Sequence, residues 1–319
     1  MSDPLPWREA WQHALYGPDG FYRRPEGPAG HFTTSSHGGL GAHLARALAR
    51  LADEEGATHV VDVGAGRGEL LTALRAERPA LRLTGVDVVE RPQGLPDDVR
   101  WMPSPGGPGL PDALTDLDDV LVVAHEWLDV VPCTVAEVDT DGRLRTVLVD
   151  PATGEESLGG PLGPDDAAWC AAHRPADGLP AGSRVEVGLA RDRAWESLLG
   201  RVRRGTVLAV DYGHTREEHP VGGTLVAYRE GVVVDPLPDG SRDLTAHVAV
   251  DSLRHDELTT QREALHRLLG RTGLPDHALA RTDPAGYLAA LADTSALTAL
   301  TDPAGLGGFR WVLARVRPG

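Results

Sequence analysis

The stretch "THVVDVGAGRGELLTALRAER", residues 58 to 78, constrains the fold more than any other part of the chain. Its first half is an unbroken apolar run of strand length, its second half has helical spacing, and glycines 64, 66 and 68 fill the junction. A continuous apolar run suits a strand buried on both faces, and a strand passing straight into a helix is the half-unit of a parallel sheet. The pattern continues downstream: "LRLTGVDVV" reads as the next strand, "VRWM" as a third and "DDVLVVAH" as a fourth. Residues 58 to 125 are therefore expected to form an α/β core, a Rossmann-like, mostly parallel sheet with helices on both faces.

Glycines at such a junction let the backbone turn sharply and approach a ligand, while the helix start offers free N–H groups. A dinucleotide fingerprint would need its third glycine at position 69, which is Glu69, so an NAD-dependent dehydrogenase is disfavoured. The pattern is instead D-x-G-x-G-x-G from Asp62, a signature common among S-adenosylmethionine (SAM) methyltransferases. The expected cofactor residues are Asp62, Gly64, Ala65, Gly66 and Gly68, with Asp87 at the end of the second strand placed to accept both ribose hydroxyls. Trp101 and Met102 follow the third strand, where they would either pack on adenine or serve as ordinary core contacts.

Beyond this core, "CTVAEVDTDGRLRTVLVD" alternates on either side of Asp141-Gly142, which marks a hairpin, and residues 150 to 182 read as a Gly/Pro/Asp-rich surface insertion with one short helix near Ala167. "RVEVGLARDRAWESLLGRVRRGTVLAVDYGH" restores strand, helix, strand, and the tail "GFRWVLARVR" alternates like a closing strand. The division expected is an N-terminal helical lid or substrate segment over residues 1–56, then the SAM-binding domain over 57–319. That domain would carry an insertion at about 134–182 and a further distinctive segment at about 220–275.

Composition limits the partners. All the basic residues are arginine, and the formal net charge of −16 argues against sequence-independent binding to nucleic acid or anionic lipid. The two cysteines, Cys133 and Cys170, form no CxxC pair, so neither a metal site nor a disulfide framework is expected. No basic start precedes an apolar core and no apolar run is of membrane-spanning length, which reads as a cytoplasmic protein.

Taken in order, "ALYGPDGFY", "GHFTTSSHGGLG", "VVDVGAGRGELL", "HEWLDVVP", "GTVLAVDYG", "GTLVAYREGVVVDPLPDGSRDLTAHV" and "TTQREALHRLLG" resemble the MidA-like methyltransferases, relatives of the mitochondrial complex I assembly-factor protein arginine methyltransferase. The resemblance implies a class I methyltransferase fold with an added subdomain, SAM as cofactor, and for the mitochondrial relative an arginine of a partner protein as acceptor. The family's acidic pair falls on Glu126 and Asp129, and its Asp-Tyr-Gly on Asp211, Tyr212 and Gly213. Three departures stand out: His31 replaces an acid, Ser35-Ser36 stand near a Pro-Glu position, and His125 replaces an asparagine.

In an open parallel sheet, ligands sit beyond the carboxyl ends of the strands, which is where Gly64 and His125 should meet. A sulfonium methyl donor is already electrophilic, so the protein has chiefly to hold the acceptor in line and manage one proton. Glu126 and Asp129 suit a clamp on a guanidinium, or else they cap the local turn or hold an arginine of this chain. His125 is either a general base or a hydrogen-bonding wall residue. Asp211 and Tyr212 are expected to line the same cleft as substrate contacts, and Thr33 to belong to the lid. The readings that compete with a protein arginine methyltransferase are a small-molecule N- or O-methyltransferase and a SAM-binding assembly factor without catalysis.

Overall fold

A computed structural model describes residues 3–24, 38–271 and 273–318 as an α/β fold with mixed sheets. Seven strands make the main sheet: β1 (His59–Val63), β2 (Arg82–Asp87), β3 (Arg100–Pro103), β4 (Leu117–His125), β5 (Val202–Asp211), β6 (Glu257–Thr260) and β7 (Arg310–Val316). Their spatial order is 3-2-1-4-5-7-6. Strands 3, 2, 1, 4 and 5 run parallel, and β7 is antiparallel between β5 and β6.

The apolar runs are continuous because both faces of this sheet are covered. In β4, Val120, Val122 and Ala124 point to one face while Leu121 and Val123 point to the other, the two-residue period of a strand. The first face packs against Trp7, Trp11 and Leu15 of α1 (Trp7–Tyr16) and Trp195 of the helix Leu189–Leu199. The second packs against α2 (Gly38–Glu54), α3 (Glu69–Glu77) and the helices Gln261–Leu269 and Pro284–Leu300. Each fully buried Val or Leu contributes about 1.5–3 kcal/mol relative to exposure, so these two layers carry the fold.

Residues 134 to 187 are more regular than a surface insertion. Thr134–Val138, Leu144–Val149, Glu156–Pro161 and Arg184–Val187 form an antiparallel sheet, and Leu5–Pro6 joins it against Leu148 and Val149. The hairpin turns at Gly142 with φ +75°, and the helix Pro164–His173 includes Ala167. A third sheet, Val226–Arg229, Val232–Val234 and Asp243–Thr245, lies in the 220–275 segment.

A boundary at residue 56 does not follow this packing. Trp7 and Trp11 are 1% and 0% exposed in the core, and Leu44, Leu48 and Leu51 of α2 are each 0% exposed under the opposite face of the main sheet. Both helices bury large apolar surface permanently, which ties them to the core rather than to a lid. Thr33, His31 and Ser35-Ser36 lie outside the described residues. Among the described residues, no helix is long and apolar enough to cross a membrane.

Candidate active site

At the carboxyl ends of the parallel strands lies a cleft of about 1240 Å³, bordered by the β1 and β2 ends on one side and by β4, α1 and the third sheet on the other. The loop after β1 explains its glycines. Gly64, Gly66 and Gly68 have φ of +77°, +57° and +76°, the left-handed region that L side chains rarely adopt. A Cβ on Gly64 would meet Trp127 at 3.4 Å and one on Gly68 would meet Leu95 at 2.6 Å. A Cβ on Gly66 would meet nothing closer than Glu69 at 4.0 Å, so Gly66 keeps open space in the cleft for a ligand.

Gly64, Ala65 and Gly66 line the cleft together with Asp87. Asp87 is held by the backbone: the Gly66 N–H donates to Oδ2 at 2.8 Å and the Val89 N–H to Oδ1 at 3.1 Å. Burial raises its pKa to about 6, with the Val89 and Gly66 N–H groups opposing that rise, so it is ionised at neutral pH and each oxygen retains a lone pair. Asp62 is 2% exposed and sits behind the lining, its pKa pushed to about 8 by burial and then by Asp87 and Glu69. That makes it a neutral structural group under the loop.

Across the cleft, β4 ends at His125 and the chain turns through Glu126, Trp127, Leu128 and Asp129. Glu126 has φ +52°, a strained conformation for a non-glycine residue that costs on the order of 1–3 kcal/mol. Its N–H donates to the Val210 carbonyl at 2.9 Å, which pins the turn to β5. The Leu128 N–H donates to Asp211 Oδ2 at 3.1 Å, and the Thr245 hydroxyl to Asp129 Oδ2 at 2.7 Å. Arg191, 1% exposed, fixes the turn from behind. Its guanidinium donates to the carbonyls of Val131 at 3.2 Å, His247 at 2.6 Å and Asp129 at 2.8 Å. Arg191 thus binds the Asp129 backbone carbonyl rather than its carboxylate, whose Oδ2 accepts from Thr245.

The electrostatics of this wall are unusual. Burial, then Asp129 and Asp243, raise the Glu126 pKa to about 8. Burial and Asp129 raise Asp243 to about 8, although a hydrogen bond from Tyr22 at 2.7 Å opposes this. Asp211 is raised well above the usual range by burial and by the charges of Asp129 and Glu126. Among the described residues, Glu126 Oε1, Asp129 Oδ1 and Asp211 Oδ1 are buried and accept no hydrogen bond of standard geometry, while the raised Asp211 carboxyl pairs with Asp129. A buried carboxylate oxygen without a donor is costly, and a cationic group with several N–H donors would remove that cost.

Burial also drives His125 down to about 4, so it is neutral. Its Nδ1 lies 3.4 Å from Glu126 Oε1, and its ring lies 6.5 Å from that of Phe309. An imidazole held neutral at the cleft wall fits the wall reading better than that of a general base poised near neutrality.

The structure therefore brings Gly64, Ala65, Gly66, Asp87, His125, Glu126, Asp129 and Tyr212 to one cleft. Asp62, Gly68 and Asp211 support it from behind. Trp101 and Met102 depart from the cofactor expectation and take the core alternative. Trp101 packs on the Leu71 side of Gly85, its indole N–H donating to the Val89 carbonyl at 3.0 Å, and Met102 is 6% exposed in the opposite core layer. The lining residues not assigned from the sequence include Tyr16, Tyr22, Tyr228 and Asp243. Tyr16 and Tyr22 stack with ring centroids 5.4 Å apart, and the Tyr16 hydroxyl donates to the Val130 carbonyl at 3.1 Å. Their signal was the tyrosines of "ALYGPDGFY" and the acid in "GSRDLTAHV".

Comparison with known proteins agrees with this architecture. The chain is similar to the crystal structure of a protein from Burkholderia thailandensis, described as a "superfamily member and likely methyl transferase" and bound to S-adenosyl-homocysteine, at 23% identity and TM-score 0.75, covering 97% of this chain and 87% of that one. It is also similar to a native crystal structure of a protein of the same superfamily and organism, at 23% identity and TM-score 0.72, covering 98% and 87%. Among curated proteins, none matches this chain. Residues 40–266 match the model of the family described as "Putative S-adenosyl-L-methionine-dependent methyltransferase". With more than half of its length inside that match, the chain belongs to this family of SAM-dependent methyltransferases.

Proposed function

We propose that this protein transfers a methyl group from SAM to a guanidinium nitrogen of an arginine in a partner protein. The observation that carries the reading is the cleft wall of Glu126 and Asp129, backed by Asp211, where the buried oxygens Glu126 Oε1 and Asp129 Oδ1 accept no hydrogen bond of standard geometry. A guanidinium presents five N–H donors in a planar fork, and facing carboxylates can hold that fork in line with a methyl donor. The 3-2-1-4-5-7-6 sheet is read accordingly as a class I methyltransferase sheet. Cys133 and Cys170 are both free and buried, which suits the reducing cytoplasm.

The glycine loop fits the cofactor. Gly66 and its neighbours would border its methionine part, and Asp87, ionised and oriented by two backbone N–H groups, would accept its ribose hydroxyls. When bound, SAM supplies a methyl group on a positively charged sulfur. The protein's own work is to exclude water, orient the acceptor and take one proton. Glu126 is suited to the last task, since a carboxylate with a pKa of about 8 is a stronger base than an exposed one. A crystal structure that shares this fold holds S-adenosyl-homocysteine, which supports SAM as the cofactor.

Mass spectrometry of arginine-containing proteins and peptides incubated with enzyme and SAM tests the reading. The expected product is methylarginine with stoichiometric S-adenosyl-homocysteine. Transfer to a neutral oxygen acceptor in preference to every arginine substrate would replace this reading with that of a small-molecule O-methyltransferase.

Gly66→Ala separates fold from cofactor. The new Cβ meets no protein atom within ordinary contact, so the fold should lose only about 1–2 kcal/mol from the left-handed backbone. SAM affinity, read by calorimetry, should fall by more than tenfold because the methyl occupies the ligand's space. Retained affinity would move the cofactor away from this loop.

The acids also set a pH dependence. Glu126, Asp243 and Asp62 have folded pKa values near 8, above those of an unfolded chain, so the folded state holds extra protons between about pH 4 and pH 8. Their contribution is full below pH 4 and is lost as pH rises through 8, so ligand-free stability should decline across that window. A bound cation favours the ionised acids, so stabilisation by SAM or an arginine ligand should grow over the same range. Thermal melts from pH 5.5 to 8.5, with and without ligand, check both slopes.

A further inference from the structure

One wall of the cleft is the three-stranded sheet, and among the described residues its outer strand, Val232–Val234, pairs only with Val226–Arg229. The hairpin turns through Glu230 and Gly231, both with positive φ (51° and 77°), and Gly231 and Tyr228 line the cleft. The unpaired edge thus begins at the cleft rim. Val232 and Val233 are 61% and 56% exposed, two adjacent large apolar side chains in solvent. Natural sheets guard open edges with charged residues, prolines or bulges. Here none of the three edge residues is charged, in a chain where charged residues make up 24%.

An open apolar edge beside a binding cleft is a template for strand addition, in which backbone hydrogen bonds give affinity and alternate side chains give specificity. The charge around it names the guest. Six acids line the cleft, Asp87, Glu126, Asp129 and Asp243 among them, against Arg23, Arg24 and Arg67, and the whole chain carries −16, so a cationic segment is attracted and an anionic one repelled. We propose that the Val232–Val234 edge receives an extended segment of the protein substrate, which adds as a fourth strand and directs a basic side chain into the acidic cleft. The favoured segment has an arginine flanked by apolar residues that cover Val232 and Val233. The proposal rests on the reading that the acidic cleft takes a cationic acceptor.

Fluorescence anisotropy in the presence of S-adenosyl-homocysteine tests it without requiring turnover. The probe is a labelled decapeptide with a central arginine and valine-threonine alternation on both sides. Wild-type protein should bind it, and the double substitution Val232→Lys, Val233→Lys should weaken binding by more than tenfold while leaving S-adenosyl-homocysteine affinity unchanged. N-methylation of the peptide backbone at alternate positions should abolish binding for one of the two registers and spare the other. Equal affinity of wild type and double variant, or equal tolerance of both N-methylated registers, would overturn the edge as the docking site. So would absence of binding to the wild type. Binding that depends on the edge but yields no methylarginine would leave the docking site standing and remove the proposed activity instead. A dimer that dissociates in the double variant, with peptide binding unaffected, would assign the edge to a second copy and overturn the proposal.

Discussion

Glu126→Gln lowers the methyl-transfer rate by about 10²–10³-fold, the range seen when one preorganised electrostatic partner is removed from an active site. SAM affinity stays unchanged, because the glycine loop and Asp87 are left intact. The amide keeps the size and the strained backbone of Glu126, so the turn through residue 129 is preserved, but it can neither carry negative charge nor accept a proton. The loss should lie in kcat at saturating SAM and should persist at pH 9, where wild-type Glu126 is mostly ionised. Asp129→Asn should instead raise KM for the acceptor more than it lowers kcat, since Asp129 is already tied to Thr245 and acts as a clamp. Full activity in both variants would remove the carboxylates from the reaction.

Arg191→Leu destabilises the protein by about 3–5 kcal/mol, a large share of the 5–15 kcal/mol that holds a typical domain folded. The replacement strips the donors from three carbonyls, the buried ones of Asp129 and Val131 and the part-buried one of His247, and a buried one left unsatisfied costs about 1–3 kcal/mol. It also removes the cation that lies 5.7 Å from the Trp11 ring centroid. Arg191→Lys should recover only part of the loss, because one ammonium cannot reach three acceptors in a planar array. Urea titration gives the values; a change below about 1 kcal/mol would show that water replaces the guanidinium.

The part of the fold that was legible is the part where local pattern and burial coincide. "VVDVGAGRGELL" announced strand, turn and helix because its apolar run, its left-handed glycines and its helical leucines each demand a different backbone. The antiparallel sheet around residues 134 to 187 was partly hidden, since its edge strand Glu156–Pro161 is mostly exposed and carries no apolar alternation. Its Leu5–Pro6 strand pairs across more than 140 residues, and no local signal reports such a partner. The helix Pro284–Leu300 has a proline at its start and an Asp283 cap accepting from the Gly286 N–H, yet its Ala-rich body has no apolar stripe to mark it. In the site, Glu126 and Asp129 stood out as acids in an apolar stretch. Arg191 looked like any charged residue on a helix, and Asp243 like a loop acid, because their burial is decided by tertiary packing. Trp101 illustrates the reverse case: an aromatic residue beside the cofactor loop whose place is set by the space over Gly85.

The left-handed backbone of Glu126 has a consequence for how this sequence can drift. A glycine there would relax the turn and, by folding criteria alone, improve the protein. Selection for stability and selection for the carboxylate therefore pull in opposite directions at this one residue. If Glu126 carries the proposed chemistry, a lineage that no longer used it would lose Glu126 early, before its glycine loop or core had changed, and the residue at position 126 would mark whether a relative still catalyses.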